Sequence, residues 1–475
     1  MTTRTKVAVA SLMAISVAIV WWTASRRAEP PAGIVVITLD TTRADRLSPY
    51  GYMNISLPAL ERLANEGVVF DEATTVAPLT LPAHTSLFTG LLPPNHGVRS
   101  NADAPLAETE TTLAETLHAR GFRTGAFVGS VVLDRARGLA QGFEDYRGVP
   151  PSDAETPAAR QRPANAVIDD ALQWLDTIGD SRFFLWAHLY DAHRPYDPPE
   201  PYRTTYGHNL YLGEIAFVDA QVGRLIEALE RRGLLNRTVV IVAGDHGESL
   251  GEHGERDHGI FVYDNVLRVP LIVRAPSLSP ARIGDVVRLT DVMPTALDLL
   301  GLPPIPSDGV SLVDVMAGRR QSLDLTAYSE SLYPETFGWS SLRTVRDRRF
   351  KFIEAPRPEL YDLDQDPFEE QNLYEHRRAT AETMATRLAS LSKGRNAAKR
   401  PTSVTAELQA QLASLGYVAA GAGSQPAPGA ARPDPKDCIG SYARSAAIAP
   451  QRPECGPWRS ADDMFATIPR RPGGH

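Results

Sequence analysis

Short runs of β-branched and other apolar residues recur along this chain, and several of them stop on glycine, aspartate or histidine. The first is IVVITLD, Ile34 to Asp40, and a later one is TVVIVAGDH, Thr238 to His246. Between them lie VVF after Gly67, then TGAFVG and FFLWAHLY; PLIVRAP comes after them. Runs that are apolar without alternation belong to strands buried on both sides, as in a parallel sheet between two helix layers. Stretches of helical spacing separate them, over Leu57–Asn65, Thr109–Arg120, Ala164–Ile178 and Leu210–Arg232, with Gly67 and Gly121 as stops. The alternation predicts an α/β fold: a mostly parallel central sheet with helices on both faces.

The pattern changes beyond residue 300. SLRTVRDRRFKFIEAPRPELYDLDQDPFEE holds two short strand-like pieces and an acidic, turn-rich stretch, and 377–391 reads as a helix. This predicts a small antiparallel C-terminal subdomain. From residue 401 alanine, proline and glycine dominate; TAELQAQLASLGYV has one apolar helical face, and the rest reads as largely disordered. A length of 475 residues exceeds one small core. The expected division is an N-terminal segment 1–27, an α/β domain 33–320, a subdomain 321–395 of the same unit, and a tail 396–475.

The first segment places Arg4 and Lys6 before an uncharged, mostly apolar run from Val7 to Ala24, with Arg26 and Arg27 behind it. Its length is near the lower limit for a membrane helix, and Trp21 and Trp22 suit an interface. The expectation is a signal anchor with the large domain exported, periplasmic or extracellular; a cleaved signal and a secreted protein is the alternative. The formal charge of −8 argues against a general nucleic-acid partner. The two cysteines, Cys438 and Cys455, both lie in the tail, so a disulfide there is open and the main domain owes nothing to cysteine.

Chemistry concentrates at predicted strand ends. Asp40 ends one strand, and Asp245 with His246 ends another. In open α/β sheets the ligand crevice lies beyond the carboxyl ends of the strands. A carboxylate and imidazole set suits zinc or manganese, and carboxylates alone suit calcium. In APLTLPAHTSLFTG, Pro82 suits a first helical turn, which puts Thr80 at a helix N-terminus, where negative charge is favoured. His188, His193, His246, His253 and His258 also gather at or after strand ends, and histidine is suited to proton transfer near neutral pH.

Taken in order, TLDTTRADRLSPYG, TLPAHTSLFTG, YDAHRPYDPP and GDHGESLGEHG followed by YDNVLRVPLIV resemble the motifs of the sulfatase family, within the alkaline-phosphatase-like superfamily. The resemblance spans Ile34 to Leu373. It implies hydrolysis of sulfate or phosphate esters with one divalent ion, calcium or else zinc or manganese, held by Asp40, Asp245 and His246 with Thr80 completing the shell. Asp191, His193 and His258 are candidates for a second site. The family's well-studied members oxidise a cysteine or serine at the Thr80 position to formylglycine, an aldehyde that threonine does not yield. Threonine is the usual nucleophile in relatives that cleave phosphodiesters with zinc. Where the family carries arginine this chain has His84, and where it carries a second aspartate it has Thr41. Two family lysines are missing; AFVGSVVLD replaces one, and His258 lies near the place of the other. The resemblance therefore implies Thr80 as nucleophile, His193 or His258 as proton donor to the leaving group, and His84 on an ester oxygen or assisting attack. The substrate is a small-molecule, glycan or lipid ester. A zinc phosphodiesterase or phospho-group transferase, and a binding protein that has lost turnover, are the alternatives.

Overall fold

The computed structural model describes residues 31–150, 161–396 and 432–445. The main sheet has eight strands: β1 (Gly33–Leu39), β2 (Val68–Thr74), β3 (Arg123–Val128), β4 (Asp145–Arg147), β5 (Phe183–Leu189), β6 (Thr238–Gly244), β7 (Arg268–Arg274) and β8 (Ala281–Arg288). Their spatial order is β4-β3-β5-β1-β6-β7-β2-β8. The expected mixed layers are present and the sheet is mostly parallel. PLIVRAP departs from that expectation: β7 runs antiparallel to both β6 and β2. An apolar run shows burial on two faces but not direction, and here Asp264–Leu267 turns the chain back beside β6 without a crossover helix. The strands β4 and β8 are not among the expected ones; β4 has three residues and only two of the eight in β8 are buried, so neither carries an apolar run.

Five longer helices flank this sheet: α1 (Pro58–Glu66), α2 (Thr80–Thr89), α3 (Ala164–Leu175), α4 (Leu210–Arg231) and α5 (Val292–Leu299). Side chains of β1 alternate between two cores. Ile34 and Val36 join the core containing α2 and α5, while Val35, Ile37 and Leu39 join the one containing α1, α3 and α4. The Thr109–Arg120 helix is shorter than expected, Leu113–His118, because Thr112 and Glu115 form a reciprocal cap that fixes its start.

The centre of the sheet sets up the site. Leu39 pairs level with Leu189 of β5 and with Gly244 of β6. Asp40 N–H then bonds Leu189 O at 2.9 Å, and Asp245 N–H bonds Leu39 O at 3.2 Å. Three adjacent parallel strands thus end at one height, and the residues just beyond their carboxyl ends meet in one place.

A second sheet, β12-β11-β10-β9, is antiparallel: β9 (Ala327–Ser331), β10 (Leu342–Arg346), β11 (Phe350–Glu354) and β12 (Glu359–Asp362), covered by α6 (Arg378–Leu391). It has four strands where the sequence shows two strand-like pieces. Buried charges join it to the main unit. Lys351 is fully buried, with Nζ 2.8 Å from Asp264 Oδ1 and 2.7 Å from Glu369 Oε1; Arg346 bridges Asp264 and Glu72 of β2. Lys351→Met leaves Glu369 buried without its cation. The expected loss is about 3–5 kcal/mol, seen as a lower urea midpoint at unchanged slope.

In the tail expected to be largely disordered, α7 (Pro435–Ser445) is helical, and Cys438 and Ile439 are buried in the main core. Asp434 accepts Arg357 N–H, and Asp437 pairs with Arg357. Cys438 is disulfide-bonded, and the chain's other cysteine is Cys455. The expected anchor over 7–24, the apolar face of TAELQAQLASLGYV and Cys455 itself lie outside the described residues. Among the described residues no helix is long and apolar enough to cross a membrane.

Candidate active site

Asp40, Asp245 and His246 come together as their strand-end positions imply. One oxygen or nitrogen from each lies within 4.8 Å of the others, and all three residues are fully buried. His246 Nδ1–H donates to Gly247 O at 2.9 Å, so its Nε2 carries the lone pair. That Nε2 lies 3.7 Å from Asp40 Oδ1, 3.5 Å from Asp245 Oδ2 and 3.4 Å from Thr80 Oγ1. The turn after His246 needs glycine: a Cβ on Gly247 would stand 2.2 Å from Asn265 O.

The remaining contacts hold the carboxylates in place. Gly129 N–H reaches His188 Nδ1 at 3.3 Å, which leaves His188 Nε2–H to donate to Asp40 Oδ2 at 3.2 Å. Asp245 Oδ1 accepts from Thr41 N–H at 3.2 Å and His246 N–H at 2.7 Å. Thr41 sits at φ 49°, strained for a β-branched residue, with its carbonyl taking the Tyr211 hydroxyl at 2.8 Å. Asp40 Oδ1 and Asp245 Oδ2 are left buried without a hydrogen-bond partner. Two orphaned carboxylate oxygens and an imidazole lone pair facing one point fit a divalent cation, which would supply the missing charge. The electrostatics agree. Burial opposes charge on Asp40, yet the His188 hydrogen bond holds its carboxyl below the usual range. Burial, then the charge of Asp40, push Asp245 well above it. Burial and the charge of His258 keep His246 neutral, as a ligand must be.

Thr80 opens α2 as its first residue, with no side-chain cap on the helix; its hydroxyl turns to His246 instead. His84 is placed differently from a substrate contact. Its Nδ1–H donates to Thr80 O at 2.8 Å, and its Nε2 accepts from the Thr38 hydroxyl at 2.9 Å, which in turn accepts Trp186 Nε1–H at 3.0 Å. Both ring nitrogens are engaged below α2, and burial pushes its pKa down to about 3.

His193 and His258 face each other edge to face, ring centres 5.0 Å apart, and His258 is 4.4 Å from His246. His193 Nδ1–H donates to Arg194 O at 2.7 Å, and burial lowers its pKa to about 4. Burial works against charge on His258 too, but Glu248 Oε1 at 3.0 Å from its Nδ1 raises it above the ordinary value. Tyr196 holds the other Glu248 oxygen at 3.1 Å. Asp191 stays apart from this group: its carboxylate accepts Ala164 N–H at the start of α3. His253 stacks on Tyr263, 3.6 Å between ring centres. Sequence reasoning grouped His188 with the strand-end histidines but gave it no partner, and it gave Glu248 no role. The register of β5 against Thr38 could have placed His188; Glu248 lies two residues past His246, but no local pattern ties it to His258.

The chain also resembles known proteins. The sulfatase family model matches residues 33–302, and the N-sulphoglucosamine sulphohydrolase C-terminal model matches 251–394. The ulvan-active sulfatase of Formosa agariphila is 25% identical over 72% of this chain and 76% of its own length. Human arylsulfatase A is 26% identical over 72% of this chain and 83% of its own length. The phosphonate monoester hydrolase structure of Agrobacterium radiobacter superposes with a TM-score of 0.65 at 24% identity, over 76% of this chain and 95% of that one. With more than half of its length matched by one family model and its fold shared across that range, the chain belongs to the sulfatase family.

Proposed function

We propose that this chain is a metal-dependent hydrolase of sulfate or phosphate esters in which Thr80 attacks the sulfur or phosphorus. The observation that carries it is the meeting of Asp40 Oδ1, Asp245 Oδ2 and His246 Nε2 beside the Thr80 hydroxyl. The donor set of two carboxylates and one imidazole favours zinc or manganese over calcium. When bound there, such an ion lowers the pKa of a nearby hydroxyl and offsets charge on the ester oxygens.

The chain's own groups do the rest. Thr80 Oγ gives up its proton to solvent and forms a bond to sulfur or phosphorus as the bond to the leaving oxygen breaks; water then attacks the ester of Thr80, and Oγ takes a proton back as its bond to sulfur or phosphorus breaks. His258, whose protonated form Glu248 favours, gives its proton to the leaving oxygen. His193, held neutral by burial, suits taking a proton from the attacking water. His84 positions the nucleophile by holding the Thr80 carbonyl. The names of relatives point to ulvan, aryl sulfate and phosphonate monoester substrates; a small-molecule, glycan or lipid ester is the class proposed here. The domain is placed outside the cytoplasm, secreted or anchored, which the Val7–Ala24 run and the disulfide at Cys438 support.

Metal analysis of the purified chain, with rates on 4-nitrophenyl sulfate, 4-nitrophenyl phosphate and bis(4-nitrophenyl) phosphate, tests the reading. Turnover of none of them with manganese or zinc present refutes it. His258→Gln is expected to slow esters with poor leaving groups by about 10²–10⁴-fold and nitrophenyl esters far less. Equal losses on both would remove the proton-donor role.

A further inference from the structure

The turn that follows the first strand-end aspartate is held in a conformation its own residue disfavours. Thr41 has φ 49°, in the left-handed region that a β-branched side chain avoids. Its hydroxyl does nothing to offset this: Thr41 Oγ1 is buried and has no hydrogen-bond partner among the described residues. The backbone of the turn still serves the site. Thr41 N–H and His246 N–H both donate to Asp245 Oδ1, which leaves Asp245 Oδ2 as the oxygen facing the ligand point.

What holds the turn comes from another element. Tyr211 stands in the first turn of α4, is 2% exposed, and reaches the end of β1 with its hydroxyl. A phenol has one proton to give. Tyr211 donates it to Thr41 O at 2.8 Å and accepts Arg43 N–H at 3.0 Å, so one side chain staples the carbonyl of Thr41 to the amide two residues on. Arg43 is itself fixed. Its Nε and Nη2 each lie 2.8 Å from an oxygen of Asp45, and its Nη1 lies 2.7 Å from Glu252 Oε1. With the chain anchored at Arg43, a relaxed φ at Thr41 would re-aim the peptide between Asp40 and Thr41. The Asp40 carboxylate and the N–H on Asp245 would move with it.

We propose that Tyr211 is a positioning residue for the cation: its hydroxyl holds Thr41 in the left-handed turn that aims Asp40 and Asp245 at one point. This rests on the reading of Asp40, Asp245 and His246 as cation ligands. The first turn of α4 thereby sets how well strand ends β1 and β6 share one ion, although no atom of Tyr211 is a ligand.

Tyr211→Phe keeps the ring, which packs edge to face on Tyr196 with centres 5.4 Å apart, and deletes only the hydroxyl. Calorimetric titration of the full chain with manganese or zinc reads the effect. The dissociation constant is expected to rise about 10–100-fold, the size found when a group behind a metal ligand is removed. Thr41→Gly removes the strain instead, since glycine takes positive φ freely. In a Thr41→Gly background, loss of the Tyr211 hydroxyl is expected to leave the constant where Thr41→Gly alone puts it, so the two changes are strongly non-additive. An unchanged constant in Tyr211→Phe overturns the proposal. So does an equal loss in both backgrounds, which makes the hydroxyl a general prop of the fold. If Tyr211→Phe does not fold, the Thr41→Gly background decides: equal affinity with and without the hydroxyl supports the proposal, and weaker affinity or no folded protein without it overturns the proposal. A wild type that takes up neither ion refutes the ligand reading itself, and the Tyr211 role with it. A wild type that binds no better than Tyr211→Phe refutes the Tyr211 role alone.

Discussion

Thr80→Ala abolishes ester turnover, by a factor on the order of 10⁴ or more, the size found when a nucleophile is removed from an otherwise intact site. The fold should tolerate the change. The Thr80 side chain caps nothing, and among the described residues its only hydrogen-bond partner is His246 at a long 3.4 Å. Alanine is also the best helix former for a first-turn position. Thr80→Ser keeps a hydroxyl on the same carbon and should retain turnover within about one order of magnitude, since a group of the same chemistry is merely freed to rotate. Steady-state rates of the three proteins on one aryl ester, with melting curves to show that each is folded, decide the matter. Turnover by the alanine variant at the wild-type rate would assign the attack to another group. Trapping the ester on residue 80 by acid quench and peptide mass analysis would identify the intermediate directly.

Removal of the proposed cation is expected to produce the second large effect, and its size grows with pH. Without an ion, Asp40 and Asp245 crowd their carboxylates in a fully buried pocket, and Asp245 is pushed well above its ordinary value of 3.8 by burial and then by Asp40. An acid whose folded pKa lies above its unfolded one holds its proton longer when folded. Stability of the chelated protein therefore falls as pH rises from about 4 upward, until the folded group has also ionised. The metal-loaded protein keeps both groups ionised through the same range and should lack that fall. At a hundredfold excess of ion over its dissociation constant the loaded form gains about 2.7 kcal/mol over the free chain. Asp245→Asn separates the terms: it should stabilise the chelated protein above neutral pH, weaken ion binding and abolish turnover. Melting temperatures with and without chelator across about pH 5 to 9, for both proteins, test it. Identical curves with and without chelator would show that no ion binds there.

Much of the fold was open to reading because burial leaves a one-dimensional mark. Strands covered on both faces must be apolar throughout, so β1, β5 and β6 announce themselves. Strands with an exposed face or few residues, β4 and β8, leave no such mark. The direction of β7 left none either, because direction depends on how the connection travels and not on what the strand buries. The helix within the tail left no mark for a related reason: a proline- and alanine-rich composition does not show that Cys438 and Ile439 find room in a core made by residues distant in sequence.

Local pattern by itself determined that aspartate and histidine stand at the carboxyl ends of buried strands and that Thr80 stands where a helix begins. Those facts come from short-range rules of propensity and periodicity, in which neighbours in sequence are neighbours in space. Only the tertiary structure decided what each histidine does. His188 was given to Asp40, His258 to Glu248, and His84 to the underside of α2 between Thr38 and the Thr80 carbonyl. A ring nitrogen's role depends on which partner takes its proton, and these partners arrive from strands and loops as far as 148 residues away, at contact distances set by packing alone.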